Sequence, residues 1–258
     1  MKSIQFRGHE VFYEKKGEGF PVVLLHGFLE NHTMWNAIAE ELTNLGCEVM
    51  AIDLPCHGKS RFKGVVCSMS WMAEVVDHIL TQENYTNPFV FGHSMGGYVG
   101  LELLKSRSIR LTLVHSNLWA DSEQKQFDRD RVIEIVKKNK GYFLREAIPH
   151  LFAPENRKSC SDVIAQLIAE ANKIPVHEIQ ASTAGMRDRL PNEQLLDTYQ
   201  ITIIHGEKDP IISTEAIVQL LEGRSHQPAL ITIKNCGHMS IWEAPEALIK
   251  TMKTVIFR

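Results

Sequence analysis

The chain has 258 residues, 44% apolar and 23% charged, which is the mix of a globular protein long enough to bury most of its apolar surface in one α/β domain carrying an insertion. Its formal charge of −3 leaves no basic surplus to hold a polyanion, so nucleic acid is not an expected partner. The five cysteines (Cys47, Cys56, Cys67, Cys160 and Cys236) make no CxxC spacing, MKSIQFRGHE has no signal-peptide apolar stretch, and no apolar run approaches a membrane span. The expectation is a cytoplasmic protein with no disulfide framework, no zinc site and no cofactor.

Residues 4–6 and 10–13 read as short edge strands, followed by a polar turn at 14–20. Pro21-Val22-Val23-Leu24-Leu25 is a continuous apolar run, the pattern of a strand covered on both faces. Asn31 or Thr33 is placed to cap a helix through Trp35, Ile38, Leu42 and Leu45 that stops at Gly46. A strand over 47–52 and a helix over 71–80 come next, the helix with Met72, Val75, Val76 and Ile79 on its apolar face. A strand over 88–91 runs into a helix over 94–104, and 111–114 is another strand.

The rhythm then breaks. From Trp119 to Gln200 the pattern is helical, with dense charge over 121–140 and no good strand. Alternation returns with a strand at 201–204, a helix at 214–221, a last strand at 230–233 and a last helix at 245–256. This order predicts an α/β fold, a doubly wound and mostly parallel sheet of about eight strands. The core is expected from 1–118 and 201–258. Residues 119–200 are expected to form a helical lid over the carboxyl ends of the strands, where ligands of such sheets bind.

Gly92-His93-Ser94-Met95-Gly96-Gly97 follows a strand and opens a helix, the context in which a G-x-S-x-G turn presents a nucleophile. A sharp turn there projects the Ser94 hydroxyl from the sheet, and glycines two residues away on each side avoid a Cβ clash. The helix N-terminus and the Met95 N–H point where an oxyanion develops. A serine hydroxyl needs a general base. Of 12 histidines, His238 in Cys236-Gly237-His238-Met239 follows the last strand on the same sheet edge as Ser94. The orienting carboxylate is expected at Asp209 in Gly206-Glu207-Lys208-Asp209-Pro210. Glu207, Glu243 and Asp121 are its competitors, read respectively as a loop residue, a solvent-facing or helix-capping residue and a less favoured acid.

These residues resemble the α/β-hydrolase family over nearly the whole chain outside 119–200. Four blocks carry the likeness: His26-Gly27-Phe28-Leu29, Asp53-Leu54-Pro55-Cys56-His57-Gly58-Lys59-Ser60, the Ser94 turn and the Asp209/His238 pair, which follow in the order Ser, Asp, His that this fold uses. The resemblance implies a serine hydrolase cleaving a small carboxylic ester. It also implies a second oxyanion donor at the Phe28 N–H and a structural, buried His26. Cys56 departs from it, since glycine is usual there; a cysteine demands either an ordinary backbone or a strained one. His57 is expected as a turn residue packed beneath the site.

Two other readings remain. The His26–Leu29 loop is also similar to that of menaquinone-pathway cyclohexadiene-carboxylate synthases, which implies carbon–carbon hydrolase or lyase chemistry. In those enzymes an arginine stands four residues after the nucleophile, whereas this chain has Tyr98. A small-molecule receptor retaining the triad is the other alternative. Dehalogenase and alkyl-epoxide hydrolase chemistry would need a carboxylate in place of Ser94. Trp119, Phe127, Phe143, Phe152 and Met186 offer apolar surface in the helical segment. The pocket is expected to be lined by Leu29, Trp119, Phe152, Met186 and Met239. Arg187 and Arg189 are available to an anionic substrate or to carboxylates such as Asp188 or Asp162.

Overall fold

In a computed structural model, which describes residues 1–224 and 228–257, the strands in chain order are β1 (Lys2–Phe6), β2 (His9–Lys16), β3 (Phe20–Leu25), β4 (Cys47–Ile52), β5 (Phe89–His93), β6 (Arg110–Val114), β7 (Thr202–Gly206) and β8 (Ala229–Ile233). They form one sheet in the order β1-β2-β4-β3-β5-β6-β7-β8. β1 and β2 pair antiparallel, β2 continues antiparallel onto β4, and from β4 onward every pairing is parallel. The expected eight-stranded, mostly parallel sheet is therefore present.

The helices are α1 (Asn36–Thr43), α2 (Met69–Gln82), α3 (Met95–Leu104), α4 (Glu123–Ala147), α5 (Ser161–Ala171), α6 (Val176–Arg187), α7 (Thr214–Leu221), α8 (Ser240–Glu243) and α9 (Pro245–Ile256). Alternation along the central strands divides the core in two. In β3, Val23 and Leu25 join the cluster under α2, α3 and α7, whereas Val22 and Leu24 join the one under α1 and α9. In β4, Met50 and Ile52 point one way and Val49 and Ala51 the other. A strand that feeds two cores has no polar face, which is why these runs are apolar throughout. Asn31 caps a short 3-10 turn ahead of α1, accepting from the Thr33 N–H. Leu45, expected on the apolar face of α1, lies beyond the helix end and is 42% exposed, because the chain already turns there toward Gly46 with its φ of +80°.

Between β6 and β7 the chain is helical. Ser122 caps α4, accepting from the Lys125 N–H. The helix bends at Asn139 (φ −155°, ψ 76°), whose side-chain oxygen accepts from the Tyr142 N–H and so caps a restarted helix. This segment has its own apolar cluster, built on Val136, Leu144, Ile148, Phe152, Ile164 and Ile179, which also takes in Leu29 after β3 and Met239 after β8. It is tied to the sheet domain by α6. Ala181 and Met186 belong to the large core, the Cys67 N–H donates to the Ala181 carbonyl at 3.0 Å, and buried Glu178 accepts from the Phe62 N–H at 2.7 Å and from Arg61 at 2.9 Å. No helix among the described residues is long and apolar enough to cross a membrane.

Phe152 is fully buried at the centre of this cluster. Phe152→Ala is expected to lower the free energy of unfolding by about 3–5 kcal/mol in a denaturant titration. Leu190→Ser, at a position 70% exposed, is expected to change it by no more than about 0.5 kcal/mol.

Candidate active site

β3 and β5 are neighbours at the middle of the sheet, and the two loops that matter most leave their carboxyl ends side by side. After β5 the chain turns at Ser94 with φ 49° and ψ −113°, a backbone state that costs roughly 1–3 kcal/mol for a residue with a side chain. Three hydrogen bonds hold it. The Ser94 N–H donates to Val114 at 2.9 Å, and the Ser94 carbonyl accepts from Gly97 at 2.9 Å and from the Ser116 hydroxyl at 2.8 Å. A Cβ at Gly92 would collide with the backbone of Gly96 and Gly97, and one at Gly96 with the carbonyls of Leu25 and His26. The two glycines thus let α3 start directly against the ends of β3 and β5. From Phe91 to Gly100 Ser94 alone is not buried. Met95 is the first residue of α3, so its N–H has no partner within the helix.

The loop after β3 is held by histidine and glutamate. His26 Nδ1 donates to the Gly27 carbonyl at 2.8 Å, and its Nε2 accepts from the Leu54 N–H at 2.9 Å, which fixes a neutral ring in one tautomer. Burial holds its pKa below the ordinary histidine range. Leu29 takes a positive φ of 68°, and the Phe28 N–H makes no hydrogen bond among the described residues. Cys56 takes the strained alternative, φ 74°, and is fully buried. His57 is buried beneath the loop, its ring 5.1 Å from His26, and burial pushes its pKa down to about 3.

Glu30 and His93 form a buried pair that the sequence did not suggest. Glu30 Oε2 accepts from the Gly27 N–H at 2.8 Å and from His93 Nδ1 at 3.1 Å, and His93 Nε2 donates to the His238 carbonyl at 2.9 Å. Donation from both ring nitrogens makes His93 an imidazolium. Burial opposes either charge. The Glu30 charge nevertheless lifts His93 above its usual pKa, and His93 draws Glu30 below its own. One ion pair thus joins the loop after β3, the serine turn and the loop after β8.

Asp209, after β7, is buried and receives four N–H groups or ring nitrogens. Oδ1 accepts from Ile211 at 2.9 Å and from Ile212 at 3.1 Å; Oδ2 accepts from His238 Nδ1 at 2.8 Å and lies 3.3 Å from His115 Nδ1. Burial works against ionisation, but His238 and the hydrogen bonds hold the carboxyl well below its usual range. His238 Nε2 has no partner among the described residues, and no hydrogen bond joins it to Ser94; such contacts commonly tighten only when substrate binds. Burial pushes His115 down to about 4 and lowers His205 as well, so both are neutral companions. His115, His205 and Asp209 are the one set of metal-ligating groups within common reach among the described residues, and Asp209 is already engaged by His238.

The competing acids are occupied elsewhere. Glu207 accepts from the Asn235 N–H. Asp121 pairs with Arg129 at 3.1 Å and Arg189 at 2.7 Å. Glu243, expected in solvent or at a helix cap, instead accepts from the N–H groups of Gly237, Met239 and Ala153, so it clamps the loop that carries His238. Arg187 pairs with Asp130 and Asp188, not with Asp162.

Ser94 and His238 open into one cavity of about 280 Å³. Leu29 and Met186 line it, with Phe28, Tyr98, Phe143 and Leu151 among the apolar walls. Three expected lining residues are placed elsewhere. Phe152 and Met239 are consumed in the helical cluster, which needs their volume. Trp119 packs against the large core beside Leu118, away from the cavity. Phe127 is 58% exposed. The cavity also receives Lys125, Arg129 and Val132 from one face of α4, residues that only the packing of that helix selects.

The Glu30–His93 pair makes a pH signature. A raised histidine stabilises fully below its unfolded value of about 6.5 and loses that contribution as pH rises through the folded value. A depressed glutamate stabilises fully above about 4.5 and loses it as pH falls. The Tm advantage of the wild type over Glu30→Gln is therefore expected to peak between about pH 4.5 and 6.5 and to narrow on both sides; a gap constant from pH 4 to 9 would contradict the charged pair.

The chain is similar to known proteins over nearly its whole length. The chain is 26% identical to the pimeloyl-(acyl-carrier protein) methyl ester esterase of Aeromonas hydrophila, covering 94% of this chain and 98% of that one. A thermophilic esterase from Thermogutta terrifontis superposes with a TM-score of 0.91 at 25% identity, over 99% of this chain and 98% of that one. The enol-lactonase of Burkholderia xenovorans LB400 shares the fold with a TM-score of 0.88 at 16% identity, over the full length of both. Residues 22–251 match the profile described as "Alpha/beta hydrolase family", and the protein therefore belongs to the alpha/beta hydrolase family.

Proposed function

We propose that the protein is a serine hydrolase that cleaves a small carboxylic ester through an acyl-enzyme on Ser94. The observation that carries this reading is the meeting of a strained, solvent-reaching Ser94 with His238 in one cavity, where His238 is backed by an ionised, buried Asp209. The esterase names of the relatives support the same chemistry.

Ser94 Oγ attacks the ester carbonyl while His238 Nε2 takes its proton, and Asp209 stabilises the resulting imidazolium through Nδ1. The charge on the carbonyl oxygen falls between the Phe28 and Met95 N–H groups, two donors fixed before the reaction begins. His238 returns the proton to the departing alcohol. Water then attacks the acyl-Ser94 ester, giving its proton to His238, which passes it to Ser94 Oγ as the acid leaves. Residues 119–200 act as the lid, with Leu29 and Met186 in contact with the substrate and the core formed from 1–118 and 201–258. Five buried, unpaired cysteines suit a reducing compartment, and we place the enzyme in the cytoplasm.

A serine-directed fluorophosphonate is expected to label the wild type and not Ser94→Ala. Label that survives the substitution would sink the assignment. Asp209→Asn is expected to lower kcat on an aryl ester by on the order of 10⁴-fold, because the amide favours the wrong His238 tautomer. A loss below about tenfold would remove Asp209 from its orienting role.

A further inference from the structure

The ester-hydrolase reading leaves the substrate open, and the wall of the cavity narrows it. Lys125, Arg129 and Val132 stand at helical spacing on the face of α4 that lines the Ser94 cavity. The two cations are not balanced. Arg129 and Arg189 share one carboxylate, that of Asp121, at 3.1 and 2.7 Å. Asp128, the next acid on α4, meets Arg131 at 3.7 Å. No carboxylate lies within ion-pair distance of the Lys125 ammonium among the described residues, and Asp121 and Asp128, whose charges reach it from farther off, are engaged by arginines. The acid deeper in the cavity, Glu30, is already matched by His93. The rest of the wall is mainly apolar.

We propose that Lys125 and Arg129 form an anion-binding subsite, so that the substrate is an ester bearing an anionic group at the end of an apolar chain. This inference rests on the ester-hydrolase reading. The apolar wall takes the chain, Ser94 takes the ester, and the anion settles against the Lys125 ammonium and the Arg129 N–H groups that Asp121 does not use. A neutral ester of the same length meets the same wall and Ser94 but gives no anion to the Lys125 ammonium or to the Arg129 N–H groups that Asp121 does not use. Carboxylate and phosphate offer the same chemistry to this pair, and the test separates them.

The experiment measures kcat/KM of the full-length protein for aryl esters whose acyl chain ends in a carboxylate, in a phosphate or in a methyl group, at stepped chain lengths. At the best length, the carboxylate or phosphate ester is expected to exceed the methyl-ended one by about fivefold or more, chiefly through KM. That ratio is expected to fall as salt rises from low to physiological strength and beyond. Lys125→Glu, at an exposed side chain with no ion pair to lose, is expected to bring the ratio to one or below. Arg129→Gln is expected to lower it in part. The larger of the carboxylate and phosphate ratios identifies the anion. A wild-type ratio near one at every length, or a ratio that Lys125→Glu leaves unchanged, overturns the subsite. Fluorophosphonate labelling of the same preparations keeps the two readings apart: labelled Ser94 with a ratio near one removes only the anion subsite, whereas a wild type that does not label removes the ester-hydrolase reading itself.

Discussion

The contact between the Ser94 turn and the end of β3 is the constraint on which the carboxyl edge of the sheet depends. Gly96 lies against the carbonyls of Leu25 and His26, and Gly92 against the backbone of Gly96 and Gly97. With that approach, α3 begins beside the loop of Phe28, as the proposed pairing of the Met95 and Phe28 N–H groups on one oxygen requires. A Cβ at either glycine would collide with backbone and push α3 away from the end of β3. The positive φ of Ser94 is the local cost of this packing, and the bonds from Gly97, Val114 and Ser116 sustain it.

The buried charges answer to the same geometry. Two buried acids at the cavity are each committed to a histidine: Glu30 to His93, Asp209 to His238. The pairs have opposite consequences. His93 donates through both nitrogens and carries a fixed positive charge that braces three loops, one of them by way of the His238 carbonyl. His238 uses only Nδ1 toward Asp209, which leaves its Nε2 for proton transfer in the proposed reaction. A buried ion pair adds little net stability against an apolar replacement, so the role of Glu30 and His93 is better understood as setting positions than as holding the fold together.

Much of this was readable from residue order. Val22 to Leu25 had to be a strand covered twice, because no residue in it tolerates water. The glycines around Ser94, and Asp209 and His238 just past strands, are placed by that same alternation. Residue order is a poor guide where burial contradicts residue type. Glu30 looks like a surface acid until His93 is found beside it, and Glu243 looks like a helix-end acid until three N–H groups converge on it. It is as poor a guide where several apolar residues compete for two cavities: Phe152 and Met239 fill the helical cluster, and nothing in their neighbours along the chain distinguishes that from lining the site. The cationic face of α4 was hidden for another reason. A helix with charge on every side shows its register only through packing.

The proposed reacting groups and the proposed anion subsite sit on different parts of the fold. Ser94, His238 and Asp209 stand on backbone contacts and buried bonds at the sheet edge. Lys125 and Arg129 stand on α4, which reaches the serine helix through a chain of contacts: Arg129 to Asp121, Asp121 to Arg189, and the Arg189 guanidinium stacked 4.1 Å over the ring of Tyr98. Tyr98 lies one helical turn after Ser94. In the lyase-like pattern an arginine would occupy that position; here an arginine arrives from another part of the chain and is spent on Asp121 and the aromatic face. The positive charge left over is displaced outward to α4, so a bound anion would meet it at the cavity wall and not beside the reacting carbonyl. That placement fits a substrate whose charge is separated from its ester by an apolar chain.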